Sequence, residues 1–91
     1  MSLREFEYVQ AIAKYQNITR AADSLYVGQP TLSKFLKNLE KELGVTLFRK
    51  AGHKYYLTYA GERYLEKAER ILQMKTELDM EMADIVTRNV G

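Results

Sequence analysis

Three lysines in the segment 28–43 recur at helical spacing and could bind an anion together. At roughly 100° per residue, Lys34, Lys37 and Lys41 fall on one side of a predicted helix. The acidic residues of the segment fall to the flanks of that side, whereas a solvated face more often mixes its charges. The sorting suggests an anionic partner, with a solvated face as the alternative. The opposite side carries an apolar helical stripe, formed by Leu32, Leu36, Leu39 and Leu43.

The start of this predicted helix has the features of a phosphate-binding end. Gly28 can serve as the N-cap, and Pro30 lies in the first turn, where an N–H group has no intrahelical partner. The free backbone amides lie beside the short polar side chains of Gln29, Thr31 and Ser33. A helix end of this type can hold a phosphate while its side chains contact base edges in a major groove. The segment therefore predicts a recognition helix for double-stranded DNA.

Composition and length limit the classes of function. The 91 residues, 46% apolar and 29% charged, are typical of one small domain. Zero cysteines exclude disulfides and thiolate chemistry, and no apolar run is long enough to cross a membrane. Because the start of the chain also lacks the apolar region of a signal peptide, we expect a cytoplasmic protein with no membrane partner. Residues 1–58 carry nine Lys and Arg against five Asp and Glu, which makes this part the candidate binding region.

Two helices are predicted ahead of the recognition helix. Apolar residues recur at helical spacing from Ser2 to about Lys14, and Ser2 with Glu5 forms a capping-box pattern. A second, short helix ends near Tyr26, with Thr19 as its expected N-cap. Its alanines allow the recognition helix to approach closely, and a three-residue turn joins the two. This pair of helices is a helix-turn-helix pattern.

The segment 45–57 is predicted to form a β-hairpin. Residues 45–47 alternate apolar and polar side chains, and residues 55–57 resume the strand pattern after a turn that contains Gly52. The tip and its margins are basic and carry no acid, so contact with phosphate or a minor groove is the natural role of this wing. A solubilising hairpin tip is the alternative. The basic residues are Arg49, Lys50, His53 and Lys54.

A long helix is predicted from about Tyr59 to Thr87, with Thr58 as its N-cap. Its side chains follow a four–three apolar repeat in which Lys75 is the one polar member. An isolated helix would expose this repeat to water, so a partner helix must cover it, and a second copy of the chain is the simplest partner. The apolar members of the repeat are Tyr64, Ala68, Ile71, Leu78, Met82 and Ile85.

These segments together resemble the N-terminal DNA-binding domain of LysR-type transcriptional regulators. The resemblance covers nearly the whole chain and is carried by NITRAADSLYVGQPTLSKFLKNLEKELGVTLFRK and the LTYAGE junction that follows. It implies a mainly α fold: a winged helix-turn-helix with a three-helix core and a two-stranded hairpin over residues 1–58, followed by a dimerising linker helix over residues 59–88. The resemblance also implies a dimer that binds an interrupted dyad in DNA, with the two recognition helices about one helical turn apart.

The resemblance also implies roles for single residues. Lys34 stands where an arginine is frequent in the family, which weakens a bidentate grip on guanine. Gly28 stands where a serine is usual, which removes a side-chain cap. By the family pattern, the residues that face base edges and phosphate are Gln29, Pro30, Thr31, Ser33 and Lys34. The residues expected on the DNA backbone or in the minor groove are Thr19, Lys37 and the wing residues Arg49 and His53. Lys54 lies beside His53 in the wing.

The resemblance implies that full-length members of the family have two domains, of which the C-terminal one binds a small-molecule effector. This chain ends at 89–91, just after the linker helix and where a hinge is expected. We therefore expect an excised DNA-binding domain, with a naturally truncated regulator as the alternative. Such a fragment is expected to bind DNA and form a homodimer without responding to an effector.

Three other classes of function compete with DNA binding. An enzyme is disfavoured because no nucleophile is spaced to act with His53, and the sequence has no glycine-rich phosphate loop and no cofactor or metal motif. A protein-binding module would use the long helix alone and would bind its partner without dependence on salt, unlike DNA binding. A protein that binds single-stranded RNA would need clustered exposed aromatic residues, and this sequence lacks them.

Overall fold

The computed structural model describes residues 1–88 and has the architecture expected of a winged helix-turn-helix with a long C-terminal helix. The sequence end 89–91, where a hinge is expected, lies outside the described residues. None of the helices within 1–88 is long and apolar enough to cross a membrane. The elements are α1 (Leu3–Tyr15), α2 (Ile18–Ser24), α3 (Gln29–Leu43), β1 (Phe48–Ala51), β2 (Lys54–Leu57) and α4 (Tyr59–Arg88).

The core lies among α1, α2 and α3, and the predicted leucine stripe of α3 faces it. Leu32, Leu36 and Leu39 are buried and Leu43 is half-buried, which confirms the orientation predicted for this helix. Phe35, on the shoulder of the stripe, packs edge-on against the α1 residue Tyr8, with ring centroids 5.0 Å apart. The most deeply buried large side chains of this core are Val9, Ile12, Leu32 and Leu47.

The caps of the first two helices are only partly as predicted. The capping box of α1 is confirmed, because the Glu5 amide donates to Ser2 Oγ at 3.4 Å and the Ser2 amide donates to Glu5 Oε2 at 2.8 Å. The predicted N-cap Thr19 of α2 is wrong. Asn17 caps this helix, with its Oδ1 accepting from the Arg20 amide at 2.9 Å. Ile18 is therefore the first helical residue, and its apolar side chain packs on the core from within the helix.

The hairpin is confirmed, but its first strand begins later than predicted. Residues 45–47 lie outside the strand because the carboxylate of Glu40 binds the chain just before it: Glu40 Oε2 accepts from the amides of Leu47 at 2.6 Å and Phe48 at 3.2 Å. In β1 and β2, Phe48 pairs with Leu57 at the base of the antiparallel hairpin. At the tip, Gly52 has φ 62°, as the first central residue of a type II′ turn requires.

Residue Thr58 connects the hairpin to α4 and caps that helix, as predicted. Its hydroxyl donates to the carbonyl of Thr46 at 2.6 Å and accepts from the amide of Gly61 at 3.0 Å. Its own amide donates to the carbonyl of Leu47 at 3.0 Å. Thr58 thus joins the start of α4 to the segment that follows α3.

The first half of α4 packs against α1, which corrects one residue of the predicted dimer repeat, Ala68. Ala68 is 1% exposed within the single chain, and the ring of Tyr64 packs edge-on against Phe6 with centroids 5.9 Å apart. Burial, and then the nearby carboxylates of Glu5 and Glu42, raise the pKa of the Tyr64 hydroxyl above its ordinary value. Ala68 is therefore covered by its own chain and does not belong to a surface available to a second copy, whereas Tyr64 is half-buried and its place in the repeat stays a prediction.

We expect Gly61→Ala to destabilise the fold strongly. A Cβ atom at this position would lie 2.0 Å from the carbonyl oxygen of Leu47, so backbone would have to shift to accommodate it. The expected loss in free energy of unfolding is about 3 kcal/mol, the scale of severe overpacking. Urea unfolding followed by circular dichroism measures it. Lys67→Ala, at an exposed position of the same helix, is the control, and equal stability of the two variants would contradict the tight contact.

Candidate nucleic-acid interface

The outer side of α3 is a continuous polar and basic surface. Lys34, Lys37 and Lys41 are all exposed, on the side opposite the buried leucines. Their ammonium groups form no ion pair with an acid among residues 1–88. The charge of this helix face is therefore available to an anionic partner, since each lysine can act as a point charge toward a phosphate.

The N-terminal end of α3 is open to solvent and lacks a side-chain cap. Gly28 is the N-cap, with φ −72° and ψ 146°, and its carbonyl accepts from the amide of Leu32 at 3.1 Å. The first amides of a helix have no intrahelical acceptor, and Pro30 in the first turn has no amide hydrogen to satisfy. The exposed amides of Gln29 and Thr31 therefore remain available to an anion at this end.

The two polar side chains at this helix end are held together. Gln29 Nε2 donates to Ser33 Oγ at 2.6 Å, one helical turn away. The hydroxyl hydrogen of Ser33 and the Oε1 atom of Gln29 are not used in this bond. The pair thus presents a donor and an acceptor side by side. This arrangement complements the acceptor and donor that a base edge presents in a major groove.

On the wing, the basic side chains lie over tyrosine rings of the opposite strand. The guanidinium of Arg49 lies 5.4 Å from the ring centroid of Tyr56, its partner in the strand register. The ammonium of Lys50 lies 5.7 Å from the ring centroid of Tyr55, again its register partner. Contacts of this type restrict long side chains while leaving their charge exposed. The rings therefore orient the positive charge of the wing.

The tip of the wing lies beside the start of α2. The amide of Tyr55 donates to the carbonyl of Gln16 at 3.0 Å, which fixes the hairpin to the α1–α2 turn. His53 and Lys54 share with Arg20 an open cleft of about 460 Å³. Arg20 was not among the predicted site residues, because nothing in the spacing of α2 shows that the hairpin tip folds back to it. The cleft gathers cationic side chains from two elements that are distant in sequence.

The remaining predicted site residues are placed as follows. Thr19 is exposed on α2, although it does not cap that helix. Pro30 and Thr31 are exposed in the first turn of α3, and Ser33 is half-buried. The predicted residues of 29–37 lie together on α3, and His53 and Lys54 lie together at the wing tip, whereas Thr19 lies on α2. No group of three or more potential metal ligands occurs within residues 1–88. The arrangement is suited to multiple weak contacts with an anionic polymer.

Comparison with known proteins identifies one family. Residues 3–62 match the family model described as a bacterial regulatory helix-turn-helix protein, lysR family. The uncharacterized HTH-type transcriptional regulator YcgK of Bacillus subtilis (strain 168) is 42% identical over 84 residues, which cover 92% of this chain and 26% of that protein. The DNA-binding transcriptional dual regulator OxyR of Escherichia coli (strain K12) is 41% identical over 73 residues, which cover 80% of this chain and 24% of that protein. The chain spans about a quarter of the length of these relatives.

Among solved structures, a BenM DNA-binding domain in complex with benA site 1 DNA matches with a TM-score of 0.88 and 31% identity, covering 94% of this chain and 97% of that one. The lysR family model matches more than half of this chain, and the curated relatives named above are more than 30% identical to it. The chain therefore belongs to the LysR family of bacterial helix-turn-helix regulators.

Proposed function

We propose that this domain binds double-stranded DNA as a homodimer, with one recognition helix in each of two successive major grooves. The observation that carries the proposal is the exposed basic face of α3, which begins at an open, uncapped helix end. The complex of BenM DNA-binding domain with DNA, which shares this fold, supports the same partner. Because bacterial DNA lies in the cytoplasm, a role in binding it also supports a cytoplasmic location for this domain.

In the proposed complex, phosphate contacts position the domain and side-chain contacts at base edges give sequence preference. The open N-terminal end of α3 is suited to a phosphate, and the Gln29–Ser33 pair to a base edge. Lys37 would lie on the DNA backbone, and the wing residues Arg49, His53 and Lys54 on the backbone or in the adjacent minor groove. Lys34 can approach guanine or phosphate only as a point charge, so we expect its contribution to specificity to be smaller than that of an arginine.

The proposed dimer uses the second half of α4. Beyond the part that packs on α1, this helix exposes an apolar stripe in which Ile71 is 41% exposed and Leu78 is 54% exposed. Helices of this length that are apolar on one side are stable when that side is covered. A second copy offers the same stripe, so a two-fold arrangement covers both at once. The stripe consists of Ile71, Met74, Leu78, Met82 and Ile85, and Lys75 lies at its margin, paired with Asp79.

Replacement of a lysine on the outer face of α3 is expected to weaken DNA binding without loss of stability. Lys37→Ala should reduce the salt dependence, log Kd against log salt, by about 1.8, the amount for one lost phosphate contact in each copy of the dimer. Fluorescence anisotropy with a labelled duplex at several salt concentrations measures the slope, and thermal unfolding checks the fold. Lys67→Ala on α4 is the charge-matched control. A slope reduced equally by both variants, or by neither, would contradict the placement of Lys37 on DNA.

A charge in the apolar stripe is expected to dissociate the dimer. Ile71→Asp would place a carboxylate in the apolar contact between two helices, which should raise the dimer Kd about 100-fold. Met80→Asp is the matched control, because Met80 lies on the opposite side of the same helix at roughly 100° per residue. Sedimentation velocity measures both. A dimer that survives Ile71→Asp, or that Met80→Asp disrupts equally, would refute the assignment of the stripe.

A further inference from the structure

The turn between α2 and α3 contains a residue whose side chain has no evident role in the fold. Tyr26 has φ 57°, in the left-handed region that bulky residues rarely occupy, and its side chain is 95% exposed. It is the most exposed of the large apolar and aromatic residues in the described chain. A strained backbone under a fully solvated ring is not explained by packing, because the ring buries almost no surface within its own chain.

The backbone around Tyr26 explains why the position must be left-handed. The amide of Val27 donates to the carbonyl of Ala22 at 3.0 Å, and the amide of Tyr26 donates to that of Asp23 at 3.2 Å. This pair of bonds is the Schellman motif that ends α2, and Val27 packs on the core beneath it. The left-handed residue of such a motif is usually glycine. The fold therefore requires the backbone conformation at position 26 but not a tyrosine side chain.

Tyr26 is close in sequence to the start of the candidate interface. It lies two residues before Gly28, the N-cap of α3, and so precedes the open helix end at which a phosphate is expected. A tyrosine hydroxyl is a hydrogen-bond donor on a rigid ring that loses little conformational entropy when it makes a contact. Phosphate oxygens are acceptors, so the chemistry of the side chain matches the DNA backbone next to this helix end.

We propose that Tyr26 is a DNA-contacting residue, whose hydroxyl donates a hydrogen bond to a backbone phosphate beside the N-terminal end of the recognition helix. The inference rests on the proposed function, because it requires DNA against this face. It also separates two properties at one position: the side chain serves binding, while a residue better suited to the left-handed turn would serve stability.

Two variants of Tyr26 test the two properties. Tyr26→Phe removes only the hydroxyl in each copy, and should weaken binding of a fluorescein-labelled duplex of mixed sequence by the dimer roughly ten- to 100-fold, with no change in melting temperature. Because no charge is lost, the slope of log Kd against log salt should stay the same. Tyr26→Gly also removes the ring and relieves the backbone, so it should bind as weakly or more weakly but melt higher, by roughly 4–8 °C. Tyr59→Phe, at another exposed tyrosine, is the control.

The outcomes are distinguishable. Weaker binding by Tyr26→Phe at unchanged slope and stability, with Tyr59→Phe like the original protein, would establish the contact. If the original protein binds the duplex and Tyr26→Phe binds equally well, the inference is overturned while the proposed function stands. If the original protein does not bind the duplex even at low salt, the proposed function fails and this inference fails with it.

Discussion

The recognition helix, the wing and the long helix are all tied to one short stretch of backbone, residues 46–48. The carboxylate of Glu40 on α3 accepts hydrogen bonds from the amides of Leu47 and Phe48. From the other side, the hydroxyl of Thr58 donates to the carbonyl of Thr46. Gly61 lets the first turn of α4 approach the carbonyl of Leu47 so closely that no Cβ atom fits between them. The relative placement of the three functional elements therefore depends on this junction.

A rigid junction matters because the two surfaces of the domain differ in chemistry. The wing and α3 carry cations on their outer sides, whereas the second half of α4 carries an apolar stripe flanked by ion pairs such as Arg88 with Asp84 at 3.1 Å. The described molecule is elongated, with extents of 58 × 25 × 19 Å, and the apolar stripe lies on the part of α4 that extends beyond the packed first half. An interface with DNA and an interface with a second copy can thus coexist without sharing side chains. Two copies joined along α4 would hold two recognition helices at a fixed separation.

Periodicity predicted the fold well, because a leucine stripe with opposite lysines can take only one orientation on a core. Contacts between elements that are distant in sequence could not be predicted from periodicity. Glu40 looked like a flanking solvated acid, yet its carboxylate anchors the chain before β1 and thereby delays the strand to Phe48. Ala68 fits the apolar repeat of α4, but it is buried within its own chain, and a repeat does not reveal which of its members the chain itself buries. The cleft that Arg20 shares with the wing tip likewise arises only when the hairpin folds back on α2.

The most direct measurement is a titration of the isotopically labelled domain with duplex DNA, followed by the amide resonances in heteronuclear NMR spectra. If α3 and the wing form the interface, the largest shift changes will fall at residues 26–37 and 49–54, and the amides of residues 74–86 will change little. Largest changes along residues 74–86, with those of α3 unaffected, would contradict the assignment of the DNA surface and would instead make the long helix the binding element.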